Sequence, residues 1–134
     1  MKKLMLLLII LLVVFLNGCR GKIEKITDVD AFDSLFTDAI KYDIRDDSLC
    51  EEGHIKGFLC VGSKDNDTLI ENISIIAKNK KVNIVLIGNE EDVLYILDGL
   101  SKKGFKNLYY FEDGYEGYVN AKGESFEPEI GCGC

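Results

Sequence analysis

Five cysteines and one histidine are the residues through which this 134-residue chain can do covalent or soft-metal chemistry. Their spacing separates them into three groups. Cys19 closes an apolar run as Leu16-Asn17-Gly18-Cys19, Cys50 and Cys60 lie inside the body of the sequence, and Cys132 and Cys134 stand in the terminus Glu129-Ile130-Gly131-Cys132-Gly133-Cys134. Glycines around a C-x-C leave the backbone free to curl, and that pairing suits a redox or sulfur-carrying dithiol, or a clip for Cu(I) or Zn(II). Two thiolates do not complete a zinc site, which takes four ligands. A flexible tail with incidental thiols is therefore the third reading. Outside the cytoplasm, the four cysteines after Cys19 could form up to two disulfides, in three possible pairings. For Cys50 and Cys60 the expectation is small buried hydrophobes rather than a bridge.

The charge pattern divides the chain. Residues 1–18 hold 14 apolar side chains, Lys2, Lys3 and no acid. The apolar run of residues 4–16 is too short for a membrane span, which needs about 20 residues, but suits a signal-peptide core. Its Leu-Asn-Gly-Cys end resembles a bacterial lipobox, which implies cleavage before Cys19 and acylation of that residue. More than one acyl chain would fix the protein to a bacterial membrane without a spanning helix, placing the domain outside the cytoplasm. The remaining 116 residues carry 14 basic and 23 acidic side chains, net −9. That excludes nucleic acid as a partner, since binding it needs a basic face. The length suits one domain with one core.

The elements that must position these residues follow from periodicity. Residues 22–26 and 41–45 read as strands, the second running into an acidic loop over 46–52. A turn at 53–57 leads to a strand at 58–61, and the apolar run Val82 to Ile87 reads as a strand buried on both faces. Another strand spans 107–111. Helical spacing appears from a Thr27 cap through Phe32, Leu35, Phe36, Ala39 and Ile40, and again from Asp67 through Ile70, Ile73, Ile76 and Ala77. It recurs at Val93, Ile96, Leu97 and Leu100, closed by Gly104, and over 115–121. Strands alternating with helices imply an α/β domain, a mainly parallel sheet with helices on both faces.

Within this frame, Asp43 and Arg45 share one strand face at i, i+2, and His54 sits between Gly53 and Gly57 in a turn. On residue type alone, both sets read as structural ties. The order Asp43-Ile44-Arg45 followed by Gly53-His54-Ile55-Lys56-Gly57 resembles the D-x-R … G-H-I-P-G-A signature of the rhodanese (sulfurtransferase) family. Lys56 stands for its proline and Phe58 for its alanine. Val85-Leu86-Ile87, Gly104-Phe105 and Glu112-Asp113-Gly114-Tyr115 are similar to later family segments. The resemblance implies a three-layer domain over residues 23–125 with a central, mainly parallel five-stranded sheet. Residues 1–18 then form a leader, 19–22 a lipidated tether and 126–134 a flexible Cys-containing tail.

Active members of that family carry a nucleophilic cysteine where the buried strand meets a helix, because a helix N-terminus stabilises an anionic sulfur. The matching position here is Gly88, and the following Asn89-Glu90-Glu91-Asp92 sets three acids where an anionic donor would bind. The acids favour the helix dipole themselves; a cation pocket is the other reading. The sequence therefore points to a lipid-anchored binding or accessory module at the cell envelope, lacking conventional sulfurtransferase activity. The alternative from another class is a sulfurtransferase or thiol redox enzyme using Cys132 and Cys134, or a metal carrier through the same tail. The resemblance itself implies no cofactor, and the sequence names no protein or small-molecule ligand.

Overall fold

The computed structural model describes residues 20–132. The leader, Cys19 and Cys134 lie outside the described residues. Five strands, β1 (Lys22–Ile26), β2 (Ile40–Asp43), β3 (Leu59–Cys60), β4 (Asn83–Ile87) and β5 (Asn107–Phe111), form one sheet in the order β1-β5-β4-β2-β3. Every pairing is parallel. The helices are α1 (Val29–Asp33), α2 (Asp47–Glu52), α3 (Asn66–Ile76), α4 (Glu90–Lys102) and α5 (Gly114–Lys122). None of them is long and apolar enough to cross a membrane.

Strand alternation builds two cores from one sheet. Ile84 and Leu86 of β4 face α3 and α4, meeting Ile70, Ile73, Ile96 and Leu100. Val85 and Ile87 face the other way, toward Phe32 of α1, Phe58 and Tyr118 of α5. β4 is therefore apolar at both parities, as a strand covered on two faces must be. Each such side chain withdrawn from water contributes about 1.5–3 kcal/mol. The close fit of α3 on α4 depends on Gly99, where a Cβ would stand 2.5 Å from Ile70 Cδ1.

Three local expectations change. Asp28, not Thr27, caps α1, its carboxylate accepting from Ala31 N at 3.0 Å. That helix stops after five residues, and the chain turns through Asp38, at φ 55°, into β2. Phe36 and Ala39 thus pack from an irregular segment, and Ile40 belongs to the sheet. Asp65 caps α3 two residues before Asp67, which instead accepts from Tyr95 OH at 2.7 Å. Ile76 ends that helix facing solvent, so its helical face is Leu69, Ile70 and Ile73. Finally, the acidic segment expected to be a loop folds mostly as α2, which carries Cys50 inward.

Candidate functional site

Three consecutive residues at the end of β2 supply two different places at the C-terminal edge of the sheet. Asp43 is fully buried and accepts from Arg45 through its backbone N at 3.0 Å, through Nε at 3.0 and 3.1 Å and through NH2 at 2.6 Å. The same NH2 donates to Gly53 O at 2.8 Å, and the guanidinium lies 3.6 Å over the Tyr115 ring. Charge-assisted bonds of this kind are the strong ones, and here they fasten the Gly53–His54 turn to the sheet and to α5. Ile44, pointing the other way, reaches the loop after β4.

His54 is fully buried. Its backbone pairs with Glu129 in an antiparallel bridge, at 3.0 and 2.9 Å. Nδ1 lies 2.9 Å from Cys50 O, a geometry in which the ring N–H donates to the carbonyl. Nε2 is buried without a hydrogen-bond partner, with Glu129 Oε1 3.5 Å away. Nδ1 is also 3.8 Å from Cys60 Sγ.

Cys50 and Cys60 form a disulfide, with Cα atoms 5.7 Å apart, which overturns the reading of them as separate buried hydrophobes. The physical reason is α2: as a helix it delivers Cys50 over the end of β3, where Cys60 closes the strand. One atom each from Cys50, His54 and Cys60 lies within 4.8 Å of the others, a donor cluster that the sequence reading missed. Its signal was present as a histidine six residues before a cysteine, but the pairing needed the unrecognised helix. With the bridge formed, neither sulfur offers a thiolate.

The segment expected as a flexible tail is laid across this corner. Beyond the His54–Glu129 bridge, Gly131 N donates to Glu51 O at 2.9 Å and Cys60 N donates to Cys132 O at 3.2 Å. Cys132 is exposed and is itself disulfide-bonded. In this form it is no thiolate ligand for Cu(I) or Zn(II).

The second place is the loop after β4. A Cβ built on Gly88 would stand 2.4 Å from Ile44 Cγ1, so Ile44 occupies the volume a side chain at 88 would need. Gly88 O in turn would lie 2.9 Å from a Cβ at Gly114. Asn89 caps α4, accepting from Glu91 N at 3.0 Å. Glu90 accepts from Tyr110 OH at 3.3 Å and Asp92 from Asn66 Nδ2 at 2.9 Å, while Glu90, Glu91 and Asp92 all sit in the first helical turn. Burial first, and then the Glu90 carboxylate, push the Tyr110 phenol above its usual range. The acids thus meet the helix dipole and local donors.

A groove of about 390 Å³ lies elsewhere, between Phe36, Ile55, Tyr118 and Phe126. At its wall Tyr118 OH donates to Asp33 at 2.6 Å, and Lys122 binds the same carboxylate. Burial, followed by the Asp33 bond, pushes the Tyr118 phenol up. None of residues 88–92 lines this groove.

The sequence profile of the rhodanese-like domain family matches residues 28–121. Among solved structures, the crystal structure of the Alr3790 protein from Anabaena sp. is similar at 20% identity and a TM-score of 0.61, with 78% of this chain and 81% of that chain covered. The crystal structure of the Rhodanese_3 like domain of the Anabaena sp. Alr3790 protein is similar at 20% identity and a TM-score of 0.56, with 69% and 93% covered. At that identity the likeness is one of fold. No curated protein matches the chain.

Proposed function

Because the chain belongs to the rhodanese-like domain family, we propose that it is a lipid-anchored, extracytoplasmic binding or accessory module of the bacterial envelope. It performs no conventional thiosulfate sulfurtransfer. The observation that carries this reading is the packing at Gly88: the position matching the family's nucleophile has no thiol, and Ile44 fills the space beside it. The helix N-terminus that would stabilise an anionic sulfur is surrounded by its own carboxylates, Glu90, Glu91 and Asp92. A thiosulfate dianion approaching them meets repulsion rather than an open row of N–H donors.

Asp43, Arg45, Gly53, His54 and Gly57 keep a structural role in this reading, holding the turn beside α5. Anchoring rests on the Leu16-Asn17-Gly18-Cys19 junction behind an apolar run with Lys2 and Lys3 in front. The test uses the full-length chain in detergent with thiosulfate and cyanide. Thiocyanate formation at the uncatalysed rate is expected, and sustained turnover overturns the reading. Incorporation of labelled fatty acid, abolished by Cys19→Ser, tests the anchor separately.

A further inference from the structure

The cysteine corner has features that a purely structural staple does not need. Its two sulfurs are unequal: Cys50 is fully buried, whereas Cys60 is partly exposed. Exchange requires in-line access to one sulfur, so Cys60 is the one open to attack. A histidine ring lies against that sulfur, and its Nε2 is buried without a hydrogen-bond partner, facing Glu129. The ring thus borders the sulfur open to attack, with Nδ1 3.8 Å from Cys60 Sγ.

The strap supplies the second component. Cys60 N donates to Cys132 O at 3.2 Å, and Gly131 O is 3.7 Å from Cys60 Sγ. The strap thus holds the Cys132 main chain one backbone hydrogen bond from Cys60, at the end of β3. Cys132 is exposed, disulfide-bonded and preceded by Gly131 at φ 102°, a conformation that suits glycine.

We propose that the Cys50–Cys60 disulfide is a thiol–disulfide exchange site that trades two electrons with the disulfide of Cys132. An external dithiol first reduces the exposed Cys132 disulfide, becoming a disulfide itself and leaving two thiols. The Cys132 thiolate then attacks Cys60 Sγ: the Cys132–Cys60 bond forms, the Cys60–Cys50 bond breaks, and Cys50 leaves as the thiolate. Cys132 gives up one proton and Cys50 takes one up, beside a His54 ring that has an atom within 4.8 Å of the Cys50 and Cys60 sulfurs. The sulfur formerly bonded to Cys132 attacks it in turn, restores the original disulfide and releases Cys60 as a thiol. The net reaction oxidises one external dithiol and reduces Cys50–Cys60, and the reverse direction carries electrons out. The chemistry goes beyond the envelope-module reading and does not depend on it, because thiocyanate formation reports on Gly88 and thiol mapping reports on Cys60.

The test traps the mixed intermediate. The full-length Cys50→Ser chain in detergent is equilibrated with reduced and oxidised glutathione, quenched in acid, alkylated and mapped by peptide mass spectrometry. A Cys60–Cys132 disulfide as the main product is expected. Cys60 recovered alkylated or glutathionylated, in a variant with native circular dichroism, overturns the proposal. Should that variant not fold, wild-type chain is reduced with dithiothreitol and sampled over time. Cys132 should become alkylatable before Cys60, and Cys132→Ser should slow Cys50–Cys60 opening about tenfold or more. Equal opening rates with and without Cys132 overturn it.

Discussion

Ile44 and its two neighbours serve opposite ends of one comparison. Ile44 plugs the loop at Gly88, whereas Asp43 and Arg45 hold the corner where Cys50, His54 and Cys60 meet. The loop at Gly88, where its family's chemistry would be sought, satisfies itself: cap, carboxylates and packing are supplied by the chain. The corner that read as structural contains a sulfur pair, a buried ring nitrogen without a hydrogen bond and an exposed terminal disulfide cysteine within one strap. Shared position at the C-terminal edge of a parallel sheet therefore does not decide where reactivity lies. The partners left over after packing do.

The largest expected effect breaks the corner. Asp43→Ala removes a fully buried acceptor and leaves the Arg45 guanidinium short of its partner. The loss should be about 3–5 kcal/mol, toward the low end because Arg45 is partly wet, read as a lower urea midpoint. Next, Gly88→Cys in the loop should cost about 1–3 kcal/mol through overpacking against Ile44 and should yield no thiosulfate turnover. Adding Ile44→Ala should cost less than the sum of the single changes, a coupling that a double-mutant cycle measures. Asn89→Ala, which removes only the cap of α4, should cost about 1 kcal/mol in the same denaturation assay.

The smallest effect is alkaline. The Tyr110 phenol is raised by burial and by Glu90, so the folded state holds its proton longer than the unfolded chain does. Its contribution is fully present below the ordinary phenol range near pH ~10 and falls as pH rises through the higher folded value. Urea midpoints should drop between mildly and strongly alkaline buffers, and Tyr110→Phe should drop less. An equal drop in both would detach Tyr110 from the loop's stability.

Much of the framework was readable from periodicity. The apolar run ending at Ile87 could only be a strand covered on both sides, and Val93, Ile96, Leu97 and Leu100 could only be one face of a helix. Strand and helix alternation then implied the parallel sheet, and the D-x-R … G-H-I motif the family. What escaped was local and tertiary. Residues 47–52 are acidic and have a single buried residue, Cys50, so no apolar stripe marks α2 as a helix. Missing that helix hid the disulfide. The strap was hidden because its bonds run from main chain to main chain, between Gly131 and Glu51 and between Cys60 and Cys132. Side-chain patterning carries no trace of such bonds.

All five strands run the same way, which gives the domain two unlike poles. Lys22 opens β1 at one pole, three residues after Cys19, while Asp43, Cys60 and Ile87 end their strands at the other. A leash of three residues spans about 10 Å, and a five-residue strand stands roughly 17 Å tall. If Cys19 carries the acyl chain proposed above, the molecule would rest with its blunt pole against the headgroups. Its sulfur-bearing pole would face the aqueous phase, turned outward for whatever diffuses past.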